Sequence, residues 1–339
     1  MQVLKVMPTF VSEFFIGIAD TKTPLTKLNY AYDLKVFFSY IITEEEFNNL
    51  SLTTFSIEDL KNISSTHIEK FLHYTTFYEK TIVTPNNNHI TLNRKNKEKG
   101  KSRKLTSVRV LYDYFLKKGK VKVNPAKIVD MPKPREKVIT FLEVDETARL
   151  LDNVEDGAGL NSEHQKSYHN YTKNRDLAIV TLLLGTGIRI SECIGINLNH
   201  INFDTNTIKV IRKGGNEAII YFGSEVERTL KDYIRDREKS LPKKGHENAL
   251  FLSMQNRRIT ARAIQNMVKK YASAVSVKNI SPHKLRSTFG THLYRETDDI
   301  YLVATMLGHK DVNTTKKHYA NMDEERIRKA ANTVKLRDN

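Results

Sequence analysis

The chain has 339 residues, of which 39% are hydrophobic, enough to fill the cores of about two domains of roughly 100–200 residues each. Its 55 lysine and arginine residues outnumber its 39 aspartate and glutamate residues. The resulting net charge of +16 predicts a polyanionic partner, with nucleic acid ranked first and an anionic membrane surface second.

Neither a targeting segment nor a membrane span is visible. The first residues lack a basic region followed by an apolar run and a cleavage site. The most apolar stretch, residues 177–188, is shorter than the ~20 residues of a membrane span and is predicted to be a buried core helix. The single cysteine, Cys193, excludes an internal disulfide framework and suits a reducing compartment. We therefore expect a soluble cytoplasmic protein that has no membrane partner.

Three helices are predicted in the first third of the chain. The first begins at a Thr-Pro pair and continues with apolar residues at helical spacing. Thr66 and Glu69 form the capping box of the second, and the third spans residues 102–118. These apolar stripes predict a small helical bundle over residues 1–122.

A polar, strongly basic run at residues 93–104 separates the second predicted helix from the third. Such a run is typical of a solvated loop. Because it leads directly into a basic helix, contact with phosphate groups is an equally good interpretation. The candidate DNA-binding residues here are Lys101, Arg103, Lys104 and Arg109.

Residues 123–140 are predicted to be an interdomain linker because they contain several prolines and lack a periodic apolar pattern. Residues 141–339 read as a mixed domain. Two β-rich runs, residues 207–211 and 218–222, flank a Lys-Gly-Gly-Asn turn and predict a hairpin. Further helices are predicted at residues 143–153, 224–239, 260–272, 282–295 and 299–307. The fold class is therefore mainly α with a small antiparallel sheet (α+β).

A set of basic and aromatic residues in this second region suggests chemistry on a phosphodiester. A tyrosine hydroxyl has a pKa near 10 and is a poor nucleophile unless cations and a base surround it. A phosphodiester under attack gathers charge on its non-bridging oxygens, which arginine forks bind in bidentate fashion. Taken alone, each residue is more typical of a surface or a core, but their fixed order predicts phosphoryl transfer. The set comprises Arg189, Lys213, His283, Arg286, His309 and Tyr319.

Three segments of this region resemble the motifs of tyrosine recombinases, the family of phage integrases and Xer-type resolvases. Residues 185–192 (Gly-Thr-Gly-Ile-Arg-Ile-Ser-Glu) resemble the first arginine motif, and residues 281–286 (Ser-Pro-His-Lys-Leu-Arg) resemble the H-x-x-R motif. Residues 307–319 resemble the closing segment, Leu-Gly-His followed by Thr and Tyr. The resemblance implies an N-terminal helical core-binding domain of SAM-like fold, which clamps DNA, followed by a catalytic domain over residues 141–339.

The resemblance also implies a role for each motif residue. Tyr319 would be the nucleophile that becomes linked to a DNA 3′-phosphate, and Arg189 and Arg286 would bind the non-bridging oxygens. Lys213 would protonate the departing 5′-oxygen and His283 would exchange a proton with the tyrosine. His309 would hydrogen-bond the phosphate, and Glu192 would support the site from behind Arg189. The family's turn usually reads Gly-Lys-Gly, whereas this chain has Arg212-Lys213-Gly214.

No cofactor, ATP or small-molecule substrate is expected. The motifs lack a carboxylate cluster or Cys/His spacing for a divalent ion, so side-chain cations are expected to take the place of a metal. The phosphotyrosine link keeps the free energy of the ester, which a DNA hydroxyl can recover by reversing the attack.

Double-stranded DNA with a specific recombination site is the expected partner. In this family the helix corresponding to residues 260–272 enters the major groove, which makes Arg262, Gln265 and Lys269 candidate contacts. Relatives act as tetramers on two sites and exchange strands through a Holliday junction. The tail beyond Tyr319 either docks on a neighbouring subunit or folds back on its own domain. Two other functions stay open: a nicking and resealing enzyme like type IB topoisomerases, and a basic DNA-binding regulator that does not cleave.

Overall fold

The computed structural model describes residues 2–83, 89–134, 140–160, 162–212, 214–275, 278–309 and 311–319, and for a few of them, including Tyr319, the backbone alone. The chain divides into two compact units, Met1–Lys137 and Val138–Asn339. Within the described residues, no helix is both long and apolar enough to cross a membrane.

Unit 1 is a helical bundle with one β-hairpin. Four helices precede the hairpin: α1 (Thr9–Gly17), α2 (Pro24–Ile41), α3 (Ile57–Asn62) and α4 (Ser65–Tyr74). The hairpin strands are β1 (Phe77–Val83) and β2 (His89–Lys95), and the long helix α5 (Glu98–Lys117) follows. Short 3-10 turns occur at Gln2–Val6, Glu45–Phe47 and Pro125–Lys127.

Aromatic side chains fill the core of unit 1. Phe10 of α1 lies edge-on to Phe38 of α2 and to Phe115 of α5, with ring centroids 5.8 and 5.5 Å apart. Such edge-to-face pairs add to the free energy already gained by burying the rings. The three helices therefore share one core, as the apolar stripes predict.

The start of α4 differs from the sequence-based prediction. The N-cap is Ser64, whose hydroxyl accepts the backbone N–H of His67, while His67 Nδ1 receives the N–H of Ser64. The capping box predicted at Thr66 and Glu69 is therefore wrong, because the actual box of Ser64 and His67 lies two residues earlier. The helix itself is present because Ile68, Phe71 and Leu72 bury the same face in either case.

The basic run at residues 93–104 is not a loop. Its first residues complete β2, which pairs antiparallel with β1 from Phe77 opposite Lys95 to Val83 opposite His89. After the two connecting residues Asn96 and Lys97, the rest of the run forms the first turns of α5, which begins at Glu98 rather than near residue 102. The pairing partner lies upstream in a segment that the sequence analysis did not recognise as a strand.

Part of the predicted linker belongs to unit 1. Ala126 and Val129 are buried against the bundle, and Asn124 caps the 3-10 turn by accepting the N–H of Ala126. Arg109 of α5 donates hydrogen bonds to the carbonyl oxygens of Ala126 (2.9 Å) and Val129 (2.6 Å). The prolines thus shape a docked segment rather than a free tether.

Unit 2 combines eight helices with a three-stranded sheet in its described part. The elements up to the sheet are α6 (Val144–Asp156), α7 (Glu163–Thr186), α8 (Ile190–Gly195), a 3-10 turn at Leu198–His200, and strands β3 (Ile201–Asn202), β4 (Thr207–Ile211) and β5 (Glu217–Tyr221). The helices after the sheet are α9 (Ser224–Glu238), α10 (Ala261–Val275), α11 (Pro282–Thr297), α12 (Ile300–Leu307) and α13 (Val312–Tyr319).

The core of unit 2 surrounds α7. Ile179, Val180 and Leu183 of this helix have no exposed surface, which confirms the buried helix predicted from the apolar run. The sheet has the order β3-β4-β5 and is antiparallel throughout, with Ile208 opposite Ile220. The predicted hairpin and the mainly helical fold class are therefore confirmed.

Candidate active site

The first arginine motif lies where α7 ends and α8 begins. Gly187 takes a left-handed conformation (φ +61°) that stops α7, and Arg189 becomes the N-cap of α8. The carboxylate of Glu192, which is 3% exposed, accepts the backbone N–H of Arg189 (2.9 Å) and its guanidinium Nη1 (2.8 Å). This double contact fixes the guanidinium while 37% of the Arg189 side chain stays exposed.

Arg286 reaches the same place from α11. Only 5% of its surface is exposed, and its guanidinium donates to the carbonyl oxygens of Gly187 (2.5 Å) and Leu307. An arginine can be buried at low cost only when its N–H groups have acceptors. Both of these acceptors are backbone carbonyl oxygens, which hold the guanidinium in place and carry only partial negative charge.

The turn after α12 receives both arginines. Gly308 ends this helix with φ +61°, and its carbonyl oxygen accepts Nη2 of Arg189 at 3.3 Å. The preceding carbonyl, of Leu307, accepts from Arg286. The two guanidinium groups therefore converge on consecutive peptide units. The structure thus brings together the first arginine motif, the H-x-x-R motif and the Leu-Gly-His segment.

His309 follows directly and is held by α13. Its Nδ1 lies 2.7 Å from the hydroxyl of Thr315, which is fully buried, and its backbone N–H donates to Ala304. A hydrogen bond at one ring nitrogen fixes the orientation of the ring. The imidazole therefore has a defined position beside the Gly308 turn.

Of the other three predicted catalytic residues, His283 and Tyr319 belong to the described part of the chain and Lys213 does not. His283 lies in the first turn of α11, one turn before Arg286, and is exposed. Tyr319 is the last residue of α13, described by its backbone alone. Lys213 lies outside the described residues.

Arg212 is a neighbour of the site that sequence reasoning did not select. A Cβ atom placed on Gly308 would lie 2.2 Å from Nη1 of Arg212, so the guanidinium is packed against the backbone of that glycine. An arginine directly before Lys213, where the family usually has glycine, is the feature of the sequence that could have identified Arg212 as a candidate.

The predicted DNA-contacting face of α10 is exposed. Arg262, Gln265 and Lys269 point away from the core that buries Ile264 and Val268 of the same helix. Their side chains are therefore accessible to a partner, and contact with DNA stays a prediction.

The corresponding prediction in unit 1 needs correction. Lys104 is 3% exposed and lies 3.6 Å from the buried carboxylate of Asp33, so its charge is not on the surface. Arg109 is engaged by the carbonyls of the docked segment. Arg103 also pairs with Asp33 but keeps 46% of its side chain exposed, and Lys101 is half-buried. We retain only Arg103 and Lys101 as candidate DNA contacts.

The Asp33 cluster explains why the buried lysine is tolerated. Burial raises the pKa of Asp33, while Arg103, Lys104 and a hydrogen bond from Ser107 act in the opposite direction. The cluster ties α2 to α5 inside unit 1.

No group of three His, Cys, Asp or Glu side chains placed to hold a metal ion occurs in the part of the chain that the structure describes.

Comparison with known proteins agrees with this geometry. Residues 140–326 match the model of the phage integrase family. The tyrosine recombinase XerC of Caldanaerobacter subterraneus subsp. tengcongensis is 30% identical over 98% of this chain and 88% of its own length. XerD of Staphylococcus saprophyticus is 32% identical over 69% of this chain and 75% of its own length.

Solved structures show the same fold. The XerH site-specific recombinase bound to its palindromic difH substrate superposes with a TM-score of 0.66 at 20% identity, over 91% of this chain and 79% of that one. A lambda integrase dimer bound to a core site superposes with a TM-score of 0.60 at 14% identity, over 89% and 94%. The chain therefore belongs to the phage integrase family of tyrosine recombinases, enzymes that cleave and rejoin DNA.

Proposed function

We propose that this protein is a site-specific recombinase that cuts duplex DNA with Tyr319, held in place at a phosphate site formed by Arg189 and Arg286. The observation that carries the proposal is the convergence of these two guanidinium groups on the Leu307–Gly308 turn. The carboxylate of Glu192 pairs with Arg189. Two guanidinium groups close together favour an anion, and two planar forks match the two non-bridging oxygens of a phosphodiester.

The carbonyl oxygens of the turn give the arginines acceptors without neutralising them. Since Arg189 is partly exposed, its outward N–H groups remain accessible to a phosphate oxygen. Glu192 and the carbonyl of Gly187 hold the two groups from behind. Preorganised donors of this kind stabilise the charge that develops in the transition state without reorganising during the reaction.

The chemistry follows as a balanced exchange of one ester for another. The Tyr319 oxygen forms a bond to phosphorus, and its proton passes to His283. The bond from phosphorus to the 5′-oxygen breaks, and Lys213 gives that oxygen a proton. His309, oriented by Thr315, donates a hydrogen bond to the phosphate. The reverse reaction with a 5′-hydroxyl from the other DNA site restores the tyrosine and exchanges the strand.

Specific DNA binding and assembly complete the proposal. The net charge of +16 and the exposed face of α10 with Arg262, Gln265 and Lys269 support a duplex partner. Unit 1 is proposed as the DNA clamp, with Arg103 and Lys101 as contacts. We propose a cytoplasmic homotetramer on two sites, resolved through a Holliday junction, with the segment after α13 docked on a neighbouring subunit. A lambda integrase tetramer bound to a Holliday junction, which superposes with a TM-score of 0.60, supports this assembly.

A nicked suicide substrate tests the nucleophile. Cleavage near the nick releases a short fragment and traps the protein on DNA, so the native chain should form an adduct that survives denaturation. Tyr319→Phe should form none while binding DNA with unchanged affinity. Tyr171→Phe, at an exposed tyrosine of α7, is the matched control and should react normally.

Adduct formation by Tyr319→Phe would show that the nucleophile is misassigned. A plasmid carrying two copies of the site separates recombination from simple nicking and resealing. We expect deletion or inversion products, according to the orientation of the sites. Relaxation alone would refute the recombinase proposal.

A further inference from the structure

Arg212 is fixed by the turn of the β4–β5 hairpin. Its backbone N–H donates to the carbonyl of Asn216 (2.8 Å), and its own carbonyl accepts the N–H of Gly215 (3.1 Å). Gly214 and Gly215 have φ values of +95° and +84°, a conformation that side-chain-bearing residues rarely adopt. The hairpin thus determines where the side chain of Arg212 starts.

That side chain ends against Gly308. The Nη1 and Cζ atoms of Arg212 would lie only 2.2 and 2.3 Å from a Cβ atom at this position. Gly308 therefore does more than end α12 in a left-handed conformation, because its missing side chain makes room for a guanidinium group. Arg189 binds the carbonyl oxygen of the same glycine, so both cations touch one residue.

The bonding of Arg212 differs from that of the other two arginines. Arg189 has the Glu192 carboxylate, and Arg286 has two carbonyl oxygens. Nε of Arg212 is buried and has no hydrogen-bond partner. Within the described residues, no carboxylate pairs with its guanidinium either. A buried N–H group without an acceptor raises the free energy of the state in which it occurs.

A third cation beside Arg189 and Arg286 also increases the electrostatic repulsion within the site. An anion bound at the Leu307–Gly308 turn would offset this repulsion, because it supplies negative charge and oxygens that accept from the terminal N–H groups of the guanidinium. A neutral ligand would not offset the repulsion. The arrangement therefore fits the phosphate at which the DNA is cut.

We propose that Arg212 is a third phosphate-binding guanidinium of the active site, which shares with Arg189 and Arg286 the negative charge of the scissile phosphate. This inference rests on the proposed recombinase function. It places a cation of this chain where the family usually has glycine. Arg212 would act in both directions, in cleavage and in rejoining, since both pass through the same charged phosphorus centre.

Single-turnover cleavage of two suicide substrates tests the role. One substrate carries an ordinary phosphodiester at the cleavage position, and the other carries a methylphosphonate, in which a methyl group replaces one charged oxygen. Arg212→Gln removes the charge, Arg212→Lys keeps it without the planar fork, and Arg149→Gln is the control at an exposed arginine of α6. Thermal unfolding of each variant establishes that the compared chains are folded.

On the phosphodiester, Arg212→Gln should cleave about 10²–10³-fold more slowly than the native chain, as expected for loss of one donor to a developing anion. Arg212→Lys should fall between the two, and Arg149→Gln should match the native rate. On the methylphosphonate, the difference between Arg212→Gln and the native chain should shrink at least tenfold, because less charge needs neutralising.

An equal loss on both substrates would overturn the inference, since it would mean that Arg212 only supports the shape of the Gly308 turn. An unchanged rate on the phosphodiester would overturn it as well. If the native chain and Arg149→Gln both fail to form adduct, the proposed function fails and this inference with it. The control chain therefore distinguishes the two failures.

Discussion

Unit 2 contains two arginine clusters that differ in charge balance. In the first, the Arg175 network, Arg175 and Asp176 of α7 are both buried, and Nη2 of the arginine lies 2.7 Å from the carboxylate. The second is the guanidinium turn, where Arg189, Arg286 and Arg212 meet at Leu307–Gly308. In this second cluster, the carboxylate of Glu192 pairs with Arg189, and no carboxylate among the described residues pairs with Arg212.

The guanidinium of Arg175 is fully engaged within the Arg175 network. Nε and Nη2 of Arg175 donate to Asp176, and Nη1 donates to the carbonyl of Leu252. The second carboxylate oxygen accepts the hydroxyls of Thr172 and Tyr271. A buried arginine that pairs with a carboxylate and has an acceptor for each guanidinium nitrogen is typical of a structural element. At the guanidinium turn, the buried Nε of Arg212 has no acceptor, which is typical of a binding site.

The largest expected effect is on catalysis at the guanidinium turn. Arg286→Lys keeps the charge but loses the fork that spans Gly187 and Leu307. Single-turnover adduct formation should fall by about 10³–10⁵, the range for arginines that stabilise a phosphoryl transition state. Arg175→Lys is the matched change, and its rate per folded molecule should stay within about threefold of native because lysine can still pair with Asp176. Equal losses in both variants would erase the distinction between the clusters.

The next effect is on stability, and here the larger loss is expected in the Arg175 network. Asp176→Asn leaves Arg175 buried without a counter-charge, which should lower the free energy of unfolding by about 3–5 kcal/mol. Glu192→Gln should lower it by about 1–2 kcal/mol, because the partly exposed Arg189 remains solvated. Urea unfolding of both variants measures the difference. A larger loss for Glu192→Gln would show that the two clusters are held together by the same means.

Local patterns made part of this contrast predictable. His283 and Arg286 lie one turn apart on a helix that a Ser-Pro pair begins, and Gly308 ends the next helix, so short-range rules place them. The glycine-turn hairpin was predictable for the same reason. The fold class and the family follow from such segments, since each is defined within a few residues of sequence.

The roles of several other residues depend on tertiary partners that are distant in the chain. Lys104 looks like a surface residue until Asp33, far upstream on α2, is placed beside it. Arg109 looks available until the docked segment brings the carbonyl of Val129 within 2.6 Å. The position of Arg212 in the site becomes visible only from its contact with Gly308, which belongs to a different helix–turn segment. In each case the same residue type can be structural or functional, and the tertiary partner determines which.

The β1–β2 hairpin was missed for a related reason. Its strands carry few of the alternating apolar positions that identify a half-buried sheet, and Phe77 and Ile90 are exposed. Backbone pairing between the two strands, from Phe77 opposite Lys95, supplies the order instead. In such a two-stranded hairpin, the apolar alternation within either strand is too weak to identify it from the sequence.

The smallest predicted effect concerns pH and again separates the two clusters. His169 belongs to the Arg175 network through Tyr271, whose hydroxyl lies 3.0 Å from Nδ1, and burial lowers the pKa of this histidine below its ordinary value of 6.5. The positive charges of Lys270 and Lys173 lower it further, while Asp176 and the carbonyl of Glu155 act in the opposite direction.

Because the unfolded chain then binds a proton more readily than the folded one, this histidine contributes stability that is present above pH 6.5. That contribution is lost as the pH falls through the folded-state pKa. His169→Gln removes the titration, so its free energy of unfolding should change less between pH 7.5 and 5 than that of the native chain. Urea unfolding at both pH values measures this difference. If the variant instead lost more free energy of unfolding than the native chain between these pH values, the folded-state pKa of His169 would be raised rather than lowered. The Arg175 network would then favour a charged imidazole.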